Sequence, residues 1–224
     1  MPMYPYHHWA TSVESRVIQL YSSFDIMAQD QAPVLMIGGT HGDEIEGVVL
    51  AQSLLSWLLE YHQNIIRPWV LIPIMNPDGV AKKQRVNANG VDLNRNYPDL
   101  GWLPDYDNPA YYPGEAPLTE PEVRAVVHLI ERIQPSLILH FHSYEPCIVY
   151  TGSPGLPVAQ ILEEVSGYKV MSDIGYPSPG SLGEYGWSNL QIPVICIEEK
   201  RGVTCNTIWP RFKFGLLKLL DFEM

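Results

Sequence analysis

Uniformly apolar runs alternate along the chain with stretches in which apolar residues return every three or four positions. The runs are RVIQLYS (16–22), PVLMIGG (33–39), PWVLIPIM (68–75), SLILHFH (136–142) and PVICIEE (193–199). They read as strands, several of them covered on both faces because they leave no polar face for water. The helical periods cover 44–61, 120–133, 156–165 and 208–222. Pro-Gly precedes the third, and Thr119-Glu-Pro-Glu122 opens the second in the form of a capping box with proline in the first turn. Strands alternating with helices predict an α/β fold: one domain over 1–224, a mostly parallel mixed sheet with helices on both faces.

One segment breaks both periods. PDLGWLPDYDNPAYYPGEAP (98–117) is rich in proline, tyrosine and aspartate. A loop this long inside a compact domain reads as the rim of a binding site.

Composition narrows the partners. At 224 residues and 46% hydrophobic content the chain can bury one sizeable core. Fourteen basic against 25 acidic residues give a net charge of -11, which argues against a nucleic acid or an anionic membrane as partner. The start, MPMYPYHHWATSVESRV, lacks the basic and apolar regions of a secretory signal, and no apolar run is long enough to span a bilayer. The expected location is therefore cytoplasmic. Cys147, Cys196 and Cys205 share no Cys-x-x-Cys spacing and read as reduced thiols.

Chemistry gathers where the predicted strands end, the place where open α/β sheets carry their sites. GGTHGDE (38–44) follows the run PVLMI, His142 ends LILHFH, and Glu198 follows PVICI. Two imidazoles and a carboxylate, here His41, His142 and Glu44, can hold zinc and leave a fourth position for water. A further free carboxylate, Glu198, can then act as base. His140 shares a strand face with His142 and competes for its place, and Glu199 competes with Glu198. His7, His8, His62 and His128 read as ordinary polar residues. The segment NPDGVAKKQRVNANGVDLNRNYPD (76–99) adds Asn76, Arg85, Asn94 and Arg95 among turn-forming elements. Its guanidinium forks suit carboxylates and oxyanions.

Taken in order, HGDE, NPDG, RVNANGVDLNRNYP, HFHSY and a late glutamate after a strand resemble the zinc carboxypeptidase family of the carboxypeptidase A type, over about 15–202. THGDE, RVNANGVDLNRNYP and GYPSPGSLG are most similar to its bacterial murein peptide amidase group. That group comprises cytoplasmic enzymes that cleave the γ-D-glutamyl to meso-diaminopimelate amide of recycled cell-wall peptides. The resemblance implies one zinc per chain held by His41, Glu44 and His142, with Glu198 as general base and proton shuttle. It implies that Arg85 polarises the scissile carbonyl and that Asn94 and Arg95 hold the substrate's terminal carboxylate. Tyr176 falls where the family carries a mobile tyrosine, with Tyr185 as its rival. The implied substrate is a small peptide with a free carboxylate, a murein tripeptide above all. An ordinary C-terminal carboxypeptidase or a deacylase of N-acyl amino acids is the alternative. Two departures bear on the substrate: HSYEP, and the run Glu198-Glu-Lys-Arg-Gly, which sets two cations beside the base. The cations either balance neighbouring acids or receive a polyanionic substrate. For the far end of a diaminopimelate residue, Glu145, Glu184 and the aspartates of 98–117 are available.

Overall fold

In the computed structural model, which describes residues 2–28 and 31–221, eight strands form one sheet. In chain order the elements are β1 (Tyr4–Thr11), β2 (Val17–Ser22), β3 (Val34–Ile37), α1 (Ile45–Tyr61), β4 (Trp69–Ile72), α2 (Pro77–Lys82), α3 (Pro121–Ile133), β5 (Leu137–Tyr144), β6 (Cys147–Thr151), α4 (Leu156–Ser166), β7 (Lys169–Met171), α5 (Leu182–Glu184), β8 (Val194–Lys200) and α6 (Ile208–Leu219). The predicted helix over 208–222 thus ends at Leu219, and Phe222 lies outside the described residues.

The strand order is β1-β2-β4-β3-β5-β8-β6-β7. The four central strands, β4, β3, β5 and β8, run parallel. β2 is antiparallel to β4 and β6 to β8, which makes the sheet mixed. Every residue of β3 and β4 is buried, as their uniform apolar runs require. Alternation along the strands divides the core. Leu139, Phe141, Ile195 and Ile197 pack with Leu54 of α1, Leu162 of α4 and Phe212 of α6 on one face. Leu35, Ile37, Ile138 and Val194 pack with Val123, Val126 and Ile130 of α3 on the other.

Three strands escaped the sequence pattern, and each has a physical reason. β1 is a largely exposed edge strand containing Pro5, so it carries no apolar run. β6 follows β5 after only Glu145 and Pro146 and merges with it in the sequence, while β7 is three residues long.

The predicted capping box does not form. α3 begins at Pro121, and its N-cap residue Glu120 makes no side-chain cap. Tertiary contacts have taken the capping groups instead. Asn96 Nδ2 donates to Thr119 Oγ1, Asn87 and Asn89 donate to Glu120 Oε2, and Glu122 Oε1 accepts from the Val13 backbone. The same contacts anchor the asparagine-rich loop to α3. Among the described residues no helix is long and apolar enough to cross a membrane.

Candidate active site

GGTHGDE turns β3 into α1, and its two acids do not cap that helix. Gly39 adopts φ +62°, and Gly42 passes so close to α2 that a Cβ there would stand 1.9 Å from the carbonyl carbon of Gly79. The turn brings together two side chains able to ligate a metal. His41 Nδ1 lies 2.8 Å from Glu44 Oε1, and both residues are buried.

β5 and β8 bring the next two groups. His142 and Glu198 are direct neighbours in the parallel ladder, and His142 Nδ1 lies 2.8 Å from Glu44 Oε2. Alternation settles the competition between the successive glutamates. Glu198 shares a face with Val194 and lines the cavity; Glu199 shares a face with Ile195 and Ile197 and points away. There Glu199 accepts from the Tyr168 hydroxyl and from its neighbour's Lys200 backbone N–H, and Arg211 Nε stands 3.3 Å away. Ser143 of the HSYEP motif also faces away, donating to Glu46 Oε2 at 2.6 Å. Tyr144 remains at the cavity.

The segment after β4 delivers the cations. Asn76 caps α2 by accepting from the Gly79 backbone, with Pro77 as the first helical residue, and Lys83 closes it in the left-handed conformation. Arg85 then reaches back, Nη1 3.1 Å from Glu44 Oε1, while its Nε and Nη2 donate to Asp92 Oδ2 at 3.0 and 2.9 Å. Asp92 Oδ1 in turn lies 3.0 Å from His41 Nε2 and accepts from the Asn94 backbone. Tyr111, from the irregular 98–117 segment, lies under both guanidinium groups, 5.0 Å from that of Arg85 and 5.7 Å from that of Arg95. Asn94 Oδ1 accepts from the Leu182 backbone, which ties this loop to α5.

A cavity of about 440 Å³ collects His41, Glu44, Arg85, Asn94, Arg95, His142, Tyr176 and Glu198. These are the eight residues expected from the sequence to hold the metal, act on the scissile bond or hold the near carboxylate. Tyr185, the rival tyrosine, is 4% exposed and stacks on Tyr97 in the core, whereas Tyr176 is 41% exposed at the cavity. Of the acids expected for the far end of the substrate, Glu184 lines the cavity. Glu145 and the aspartates of 98–117 do not, and Asp173 does.

The zinc carboxypeptidase family model matches residues 4–178, more than three quarters of the chain. The chain belongs to the zinc carboxypeptidase family. Within it, the chain is 32% identical over 173 residues to murein peptide amidase A of Escherichia coli (strain K12), covering 72% of this chain and 69% of that protein. It is 31% identical over 188 residues to murein peptide amidase A of Vibrio campbellii, covering 78% and 72%. The crystal structure of murein-tripeptide amidase MpaA from Escherichia coli O157 superposes with a TM-score of 0.76 at 26% identity, over 100% of this chain and 93% of that one. Thrombin activatable fibrinolysis inhibitor shares the fold at TM-score 0.81 and 18% identity, covering 98% of this chain and 68% of that one. This zinc carboxypeptidase relative is therefore a metal-dependent peptide or amide hydrolase, and zinc is its metal.

The donor set fits zinc. The ligand atoms of His41, Glu44 and His142 lie within 4.8 Å of one another, and the far nitrogen of each imidazole is held from behind. Asp92 holds His41 Nε2, and His140 Nδ1 lies 3.0 Å from His142 Nε2. A metal on His142 Nδ1 requires the proton on Nε2, donated to His140 Nδ1; the remaining His140 proton then sits on Nε2, 2.6 Å from Thr40 Oγ1. Thr40 thus earns its place in GGTHGDE as the end of this relay. His140, His142 and Cys196 form a second close trio. Burial pushes the Cys196 thiol well above its ordinary range, which suits a protonated side chain and not a thiolate ligand.

Charge is steeply arranged. Burial disfavours the ionised Glu44, yet His41 and His142 outweigh it and hold its carboxyl well below the usual range. Burial also opposes the charge on Asp92, and His41 and Arg85 reverse that, again lowering it. For Glu198, burial and then the Glu44 charge raise the carboxyl well above the usual range, with Arg85 and Arg201 opposing.

Three contributors were not legible as such. Asp92, two residues before Asn94, looks like a turn residue in VDLNRN, and its backbone cap of Asn94 was the available signal. Tyr111 and Asp173 lie in segments without a period. For His140, substitution by phenylalanine is expected to weaken zinc binding by about 10- to 100-fold, measured by competition with a chromophoric chelator. Cys196→Ser is expected to leave that affinity unchanged; loss of zinc in both variants would place the metal in the second trio.

Proposed function

We propose that this enzyme hydrolyses the γ-D-glutamyl to meso-diaminopimelate amide of murein peptides in the cytoplasm. One observation supports the substrate beyond family membership: the cavity combines Arg95 and Asn94 with the acids Glu184 and Asp173. A diaminopimelate residue presents a carboxylate beside the scissile nitrogen and an amine with a second carboxylate at its far end. Arg95 and Asn94 suit the near carboxylate, and the two acids suit the far amine.

His41, Glu44 and His142 would hold the zinc, which would supply Lewis acidity and make a water there acidic, with a pKa towards about 7. Glu198 takes a proton from the attacking water and later delivers it to the leaving amine. Arg85 faces the oxygen on which negative charge develops. Asp92 keeps that guanidinium and the His41 ring in place, and Tyr176 closes over the bound peptide from the exposed side of the cavity.

The decisive assay incubates the zinc-loaded protein with L-alanyl-γ-D-glutamyl-meso-diaminopimelate, with and without chelator, and resolves the products by mass spectrometry. Chelator-sensitive release of diaminopimelate is expected. An inert tripeptide alongside cleavage of ordinary C-terminal peptides, or of N-acyl amino acids, would move the enzyme to those substrates.

A further inference from the structure

β8 does not end at Glu198. Lys200 pairs with Tyr144 two residues beyond the pair of Glu198 with His142, so Lys200 and Tyr144 lie on the same face as the base. Lys200 is exposed, and among the described residues it makes no ion pair. Arg201 follows in the turn, its side chain 49% exposed, with Nη1 3.3 Å from Asp43 Oδ2 and Nη2 3.7 Å from Glu44 Oε1. The turn is pinned from two sides: the Arg201 backbone donates to the Tyr144 carbonyl, and the Gly202 backbone donates to the buried Glu46 Oε1 at 2.6 Å. The turn thus holds Arg201 beside Glu44, with Lys200 on the base's face of β8, in a chain of net charge -11.

Glu44 is already met by Arg85 and two imidazoles; Arg201 further meets Asp43 and acts on the charge of Glu198, while Lys200 makes no ion pair among the described residues. Their position has a direction. The central strands run in the order β4-β3-β5-β8; Arg85, Asn94 and Arg95 enter from the segment after β4, at one end of that row, and Lys200 and Arg201 from the end of β8, at the other. Contacts follow the same order, Arg201 to Glu44, Glu44 to Arg85, and Arg85 through Tyr111 to Arg95. With the leaving residue's carboxylate on Arg95 and the reacting carbonyl at Arg85, the acyl portion of the substrate runs past Tyr144 towards Arg201.

We propose that Arg201, assisted by Lys200, selects substrates carrying a free carboxylate on the acyl side of the scissile bond. The inference rests on the proposed reaction, since a γ-linked glutamyl residue leaves its α-carboxylate free at that place. It adds a specificity element that ordinary peptides, whose acyl-side carboxyl is consumed in the amide bond, would not satisfy.

The test compares the tripeptide with its analogue in which the glutamyl α-carboxylate is an amide, using zinc-loaded native, Arg201→Gln and Lys200→Gln proteins. The native enzyme is expected to prefer the acid by about tenfold or more in kcat/KM, the scale of one charge-assisted hydrogen bond. Arg201→Gln is expected to collapse that ratio towards one, chiefly through KM, and Lys200→Gln to reduce it partly. Because Arg201 also bears on the charge of Glu198, the ratio is the readout, not the absolute rate. Unchanged zinc stoichiometry and melting temperature confirm an intact fold. A native enzyme without preference, or an Arg201→Gln protein that keeps it, overturns the assignment. If the tripeptide is inert and acetyl-dipeptides are cleaved, the murein reading falls, and glutamyl against glutaminyl dipeptides decide the role of Arg201. Cleavage of neither class overturns both.

Discussion

Glutamine at position 198 is expected to lower turnover by about 100- to 10,000-fold, the usual contribution of a positioned general base, while zinc stays bound. Glu198 is buried at the cavity beside His142, yet among the described residues no protein group donates to its carboxylate. It is thereby free to receive a proton from water. Glutamine keeps the shape and the packing but cannot accept that proton. The pH profile gives a second readout. Burial and the Glu44 charge raise the Glu198 carboxyl, and a bound dication opposes them. Since the base works ionised, kcat/KM falls as pH drops through its pKa, and this acid limb is expected to vanish in Glu198→Gln. Kinetics from pH 4 to 9, with zinc content measured on the same samples, check both. Native turnover in the variant would remove Glu198 from the role.

Arg85→Ala is expected to cost about 100- to 1,000-fold in kcat, with a smaller effect on KM, because the guanidinium is worth most when charge has developed on the carbonyl oxygen. Burial works against its charge, but Asp92 and Glu44 outweigh it and raise its pKa further, so it stays cationic at any working pH. Arg85→Lys keeps the charge and loses the fork that spans Asp92 and Glu44. Lysine is therefore expected to recover only part of the rate. Zinc affinity should survive both changes, since His41, Glu44 and His142 remain. A variant losing zinc in proportion to activity would reassign Arg85 to holding the metal ligands in place.

The central strands were legible because burial on both faces leaves a mark in the sequence that edge strands such as β1 do not make. The cluster at the cavity was legible for a related reason: parallel strands send polar groups out at one edge, so His41, His142 and Glu198 stand where their apolar runs stop. Choosing between neighbours was harder. His140 and His142 share a face, and sequence alone cannot say that one meets Glu44 while the other stands behind it. What stayed hidden were residues acting through contacts distant in sequence. Asp92 reaches His41 across 51 positions and joins it to Arg85, and Thr119 and Glu122 abandon a local cap for Asn96, Asn87 and Val13. Local pattern favours the cap; tertiary demand for hydrogen-bond partners on the asparagine loop overrides it.

Two successive glutamates at the end of β8 pose a problem of identity. A slip of the strand by one residue would present Glu199 in place of Glu198, chemically the same group in a misplaced backbone. Tyr168 and Arg211 prevent the exchange by holding Glu199 on the far side of the sheet, and Ile195 and Ile197 would have to leave the core with it. The side chain turned away from the cavity thus decides which of two equal acids faces it.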